Sequence, residues 1–94
     1  MADTLTIEEL GTQLASLAGW SVDGNAITKM FTFDDFKAAV KFFNQVAAVA
    51  QQRDHHPDIE VRYDRVKISL STHSAGGVTK QDIGLAKLID EVGL

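Results

Sequence analysis

An α+β fold, a four-stranded antiparallel sheet with three helices packed on one face, is predicted for this 94-residue chain by three observations. Apolar residues recur at helical spacing in three stretches, near the beginning, in the middle and at the end. Between them lie two pairs of short runs in which apolar and polar residues alternate, each pair joined by a tight turn, as in hairpins. No linker, repeat or low-complexity segment interrupts them. The order α-β-β-α-β-β-α therefore describes a single domain over residues 1–94, large enough for one modest core.

The first helix is expected from Thr4 to Ala18, with Leu5, Leu10, Leu14, Leu17 and Ala18 on its apolar side, Thr6 and Glu9 at capping-box spacing, and Gly19 ending the run. Trp20-Ser21-Val22 reads as a short strand, Asp23-Gly24 as a hairpin turn, and Ile27, Lys29, Phe31 and Phe33 as one face of the returning strand. Asp34-Asp35 then supplies the acidic side chains favoured at a helix start. The helix from Phe36 to Arg53 is the longest element, with a stripe of Phe36, Ala39, Val40, Phe43, Ala47 and Ala50. A second row, Phe42, Val46 and Val49, widens the apolar surface beyond what one small sheet covers, and is read as a contact between copies.

After Pro57, Ile59, Val61 and Tyr63 alternate with polar residues. Asp64-Arg65 makes the connection, and Val66, Ile68 and Leu70 alternate again. Ala75-Gly76-Gly77 breaks the pattern. Thr79 and Asp82 have capping-box spacing ahead of a third helix marked by Ile83, Ala86, Ile89 and Val92.

Composition narrows the function. Nine basic against thirteen acidic residues give a net charge of -4 without any basic cluster, which disfavours a nucleic-acid surface. Cysteine is absent, so disulfides, thiolate metal sites and thiol nucleophiles are excluded together. The N-terminus lacks a basic region with an apolar run, and no segment approaches a membrane span, so a cytoplasmic protein is expected.

The chemistry centres on Asp54-His55-His56-Pro57. Imidazole titrates near neutral pH, so it can give or take a proton under ordinary conditions. Pro57 stiffens the segment and biases His56 toward extended backbone, which sends the two rings to different sides. That divergence argues against a shared metal ion, as does the lack of a helical His-x-x-x-His pair. The third histidine, His73, follows a strand and precedes the glycine turn. Ser69, Ser71 and Ser74 flank it without a nucleophile elbow, and Gly76-Gly77 lacks the wider phosphate-binding fingerprint. Acid–base catalysis by the imidazoles remains.

Gly19-Trp20, Phe31-Thr32-Phe33-Asp34-Asp35-Phe36, Asp54-His55-His56-Pro57, Thr72-His73, Gly77 and Asp82 resemble, in order and spacing, the pterin-4a-carbinolamine dehydratases. The resemblance covers nearly the whole chain. It implies dehydration of 4a-hydroxytetrahydrobiopterin to quinonoid dihydrobiopterin in tetrahydrobiopterin recycling, with no metal or bound cofactor. By the same resemblance His55 and His73 are the expected proton-transfer residues, and His56, Pro57 and Asp82 are expected to bind or position the substrate. Asp82 has two readings, helix cap and histidine partner, which are compatible. The excess apolar surface of the Phe36–Ala50 helix, with a sheet edge as a second contact, is read as forming a homodimer or homotetramer. The alternative that the resemblance carries is a non-catalytic module, a dimerisation cofactor of a transcription factor. Two positions depart from the family pattern: Gln51 stands where a glutamate is frequent, and Ile59 where many relatives have tryptophan.

Overall fold

The computed structural model describes residues 3–93. Along the chain run α1 (Ile7–Leu14), β1 (Ser21–Asp23), β2 (Ala26–Thr32), α2 (Phe36–Arg53), β3 (Asp58–Arg62), β4 (Arg65–Leu70), a 3-10 turn at His73–Ala75, and α3 (Lys80–Val92). The sheet has the order β1-β2-β4-β3 and every neighbouring pair is antiparallel. The expected α+β arrangement is therefore the observed one.

Pairing of Ile27 with Leu70, Phe31 with Val66 and Ile59 with Ile68 puts the alternating apolar residues of three strands on one face. Ile27, Val66, Ile68 and Leu70 are fully buried there, beneath Phe42 and Val46 of α2 and Leu85, Ala86 and Ile89 of α3. Burying such a side chain contributes about 1.5–3 kcal/mol, so this layer supplies much of the driving force for folding. α1 joins it only through the half-buried Leu10 and Leu14. The opposite face carries Thr28, Thr32, Glu60, Arg62, Lys67 and Ser69, a largely polar cover interrupted by the exposed Met30 opposite Lys67.

Four local expectations are corrected. α1 stops at Leu14 because the next turns tighten: Ser16 N–H reaches Gln13 O and Leu17 N–H reaches Leu14 O, which swings Leu17 into the core. Its capping box of Thr6 and Glu9 is present. β1 starts one residue later than expected, with Trp20 buried ahead of it, and Gly24-Asn25 forms the turn between the paired Asp23 and Ala26. The second hairpin turns at Tyr63-Asp64, where Tyr63 has φ 53° and is 70% exposed, so it leaves the strand alternation.

The fourth correction concerns α2. Phe42 and Val46, expected between copies, are 2% and 0% exposed and face the sheet, where Phe42 lies 4.7 Å from the Phe31 ring and 5.0 Å from Phe33. Phe36, at 53% exposure, points outward instead, with Val40 and Phe43 half-buried and Ala47 exposed. Ala39 and Ala50 of the expected stripe are buried at 0% and 2%, so the buried face of α2 takes residues from both apolar rows, because helical periodicity alone does not fix the helix's rotation against the sheet.

Away from the histidines, the inward-facing Lys29 is satisfied by Asp90 and by Ala18 O, at 2.8 and 2.9 Å. Trp20 Nε1 donates to the same carboxylate at 3.1 Å. This joins the loop after α1 to β2 and α3. Among the described residues, no helix is long and apolar enough to cross a membrane.

Candidate active site

The end of α2 aims the first histidine. Asp54 adopts the left-handed conformation, its N–H returning to Gln51 O while His55 N–H returns to Ala50 O at 3.1 Å, the paired bonds of a Schellman cap. Glycine usually occupies such a position, and aspartate is one of the few side chains that tolerate it. The chain reverses directly before His55. β3 then begins after Pro57.

The second wall comes from the far end of β4. Thr72 N–H donates to Gly77 O at 2.8 Å and Gly76 N–H donates to Thr72 O at 2.9 Å, closing a small loop that exposes His73. Gly76 has φ 77°, so a side chain there would be strained. Between the walls lies a cleft of about 460 Å³ bordered by His55, His56, Pro57, Thr72, His73 and Gln81. Its size falls in the range of small-ligand sites. A larger concavity of about 770 Å³ runs along α2 past Ala38, Val40, Lys41 and Ala48, but it contains no imidazole.

Asp82, completely buried at the third position of α3, fastens the cleft to the interior. Its Oδ1 lies 2.5 Å from His55 Nε2. Its Oδ2 accepts from Thr72 Oγ1 at 2.9 Å and from the Thr79 backbone N–H at 2.8 Å. The Thr79 and Thr72 hydroxyls are themselves 2.8 Å apart. Helix capping and histidine binding are thus performed by one carboxylate, which reconciles the two readings of Asp82.

The contact leaves one nitrogen of His55 for other partners. A carboxylate oxygen accepts, so Nε2 carries hydrogen and Nδ1 is the free nitrogen of a ring that borders the cleft. Nδ1 is then a base when the ring is neutral, and a new positive charge on the ring would be stabilised by Asp82. His56 is exposed, with Nε2 donating to Gln51 Oε1 at 2.9 Å. Gln51 therefore positions His56 without adding charge. Ile59, at the other departure from the family pattern, is half-buried and packs against the core.

The structure brings His55, His56, Pro57 and His73 to one cleft and sets Asp82 behind His55. Sequence reasoning left the side chains of Thr72 and Thr79 without a part in the site. The available signal was parity: Thr72 continues the inward series Val66, Ile68 and Leu70, a polar residue where the pattern asks for an apolar one. Among the described residues, no three His, Asp or Glu side chains converge as a metal-binding group.

Fold and cleft together define a small α+β protein with an imidazole-lined site suited to proton transfer. Residues 3–92 match the family described as pterin 4 alpha carbinolamine dehydratase, and the chain belongs to that family. Proteins named "Putative pterin-4-alpha-carbinolamine dehydratase" from Sulfurisphaera tokodaii and Koribacter versatilis are 48% and 47% identical to it; the matches cover 94% and 98% of this chain and 95% and 98% of those proteins. A crystal structure of a transcriptional coactivator/pterin dehydratase from Brucella melitensis superposes with TM-score 0.93 at 41% identity, covering 98% of this chain and all of that one. A pterin dehydratase-like protein described as a RuBisCO assembly factor of the alpha-carboxysome shares the fold, with TM-score 0.66 at 19% identity over 79% of this chain and 86% of that one.

Proposed function

We propose that this chain converts 4a-hydroxytetrahydrobiopterin to quinonoid dihydrobiopterin and water, with imidazoles as the proton carriers. The observation that carries the reading is the His55–Asp82 pair opening onto the cleft that also holds His56 and His73. In the reaction the bond between the 4a-carbon and its hydroxyl oxygen breaks, and the oxygen leaves as water after taking a proton from one imidazolium. The electron pair of the adjacent ring N–H forms the new carbon–nitrogen double bond as a second imidazole takes that proton. His55 suits the second role, because Asp82 stabilises the imidazolium that forms. His73, exposed to solvent, suits the first and is readily reprotonated. His56, held by Gln51, and Pro57 position the ring system. Each proton transfer contributes about 10²–10⁴ in rate. Stopped-flow decay of 4a-hydroxytetrahydropterin tests this directly: purified protein accelerates it without any partner, and decay at the spontaneous rate refutes the reading.

Copies of the chain associate, in this proposal, as a homodimer or homotetramer through the outward row Phe36, Val40, Phe43 and Ala47 of α2 and through an edge strand of the sheet. The same apolar row, with the double description of the Brucella relative, supports a second reading in which the chain is a dimerisation cofactor of a transcription factor. Capture of such a factor by a folded protein that lacks turnover favours that reading over the enzyme.

A further inference from the structure

The Thr72 hydroxyl occupies an unusual position: 6% exposed, on the inward side of the sheet, and attached to the loop that carries His73. Each hydroxyl has a single proton to donate. Thr72 spends its proton on Asp82 Oδ2, so the 2.8 Å contact with Thr79 must be donated by Thr79. Thr79 Oγ1 in turn accepts from the Gln81 N–H at 3.2 Å. The chain of donors thus runs one way, from the start of α3 through two hydroxyls to the carboxylate.

Its consequence is an asymmetric carboxylate. Oδ2 receives the Thr72 hydroxyl and the Thr79 N–H, and Oδ1 receives His55. Rotation of the carboxylate plane would unmake buried hydrogen bonds on both oxygens, with no solvent to replace them.

We infer that Thr72 is a positioning residue whose hydroxyl locks the Asp82 carboxylate in the plane from which Oδ1 holds His55, and so fixes that ring's tautomer. The loop that supplies the lock also carries His73, so both proposed proton-transfer rings are placed relative to one side chain. The kinetic part of this inference rests on the dehydratase reading; the structural part does not.

Thr72→Val keeps the shape and removes the donor, whereas Thr72→Ser keeps the donor. With the dehydratase assay, Thr72→Val is expected to lower kcat about 10- to 100-fold with KM nearly unchanged, and Thr72→Ser to stay near wild type. Nitrogen-15 NMR of the His55 ring reads the same effect without substrate. The wild type shows hydrogen on Nε2 in slow exchange, and Thr72→Val shows a mixture of tautomers in faster exchange. A folded Thr72→Val protein with an unchanged His55 spectrum overturns the inference. A tautomer shift in a protein whose wild type has no turnover supports the lock while refuting the dehydratase. Should Thr72→Val not fold, the wild type still decides: a slowly exchanging Thr72 hydroxyl proton supports the lock, and one exchanging as fast as an exposed threonine overturns it.

Discussion

Replacing Asp82 by asparagine reverses one hydrogen bond while leaving the shape of the site intact. The Thr79 backbone N–H cannot become an acceptor, so the amide oxygen of the variant must occupy the Oδ2 place and the amide nitrogen must face His55 Nε2. A donor opposite Nε2 forces that nitrogen to accept. The ring proton moves to Nδ1, and the base proposed to face substrate is lost. The kcat should fall by about 10- to 10³-fold, no further than when the His55 ring is removed, limited by the rate of spontaneous dehydration. The change in stability is smaller, because the oxygen facing Thr72 and Thr79 remains. Exchange of one charge-assisted bond for a neutral one costs roughly 1–1.5 kcal/mol, and each kcal/mol lowers Tm by about 4–8 °C in a domain of this size. Stopped-flow assay, thermal denaturation and nitrogen-15 spectra of His55 measure these effects separately. An asparagine variant with kcat within about threefold of wild type and hydrogen still on Nε2 would refute both the tautomer argument and the role given to Asp82.

The other imidazoles, the rotation of α2 and one surface carboxyl give further predictions. His55→Ala and His73→Ala should each lower kcat by about 10- to 10³-fold, their combination should approach the spontaneous rate, and His56→Ala should chiefly raise KM; near-wild-type turnover in a folded double variant contradicts the assignment. Phe42→Ala should cost about 3–5 kcal/mol in urea unfolding because the ring is buried against Phe31 and Phe33, whereas Phe36→Asp should leave far-UV circular dichroism intact and lower the mass found by light scattering. Unchanged mass in the Phe36 variant removes the α2 contact. Glu9 is held below its ordinary carboxylate value of 4.5 by hydrogen bonds to the Thr6 backbone and side chain. Its contribution to α1 is therefore complete above pH 4.5 and lost as pH falls through the lowered folded value, which the Thr6 and Glu9 amide shifts should follow in an NMR titration. Amide shifts that titrate at the ordinary glutamate value would contradict this.

By itself the sequence determined the order of the elements, because each depends on neighbours a few residues away. The capping boxes of Thr6 with Glu9 and Thr79 with Asp82 are contacts across three positions, and Asp35 caps α2 over the same distance, its side chain accepting from Ala38 N–H. The strand alternation of Val66, Ile68 and Leu70 is equally local, as is the pairing of His55 with His56 ahead of Pro57. Tertiary structure decided what depends on rotation and long-range register. It turned Phe42 and Val46 of α2 toward the sheet and Phe36 away from it, joined His73 to His55 across the end of the sheet, and drew Trp20, Lys29 and Asp90 together from three segments. Most clearly, it gave Asp82 its second partner. A carboxylate three residues after Thr79 is a helix cap by local rules; only the packing of α3 beside the end of α2 brings Oδ1 to a histidine twenty-seven positions earlier, where burial leaves each polar atom dependent on the others.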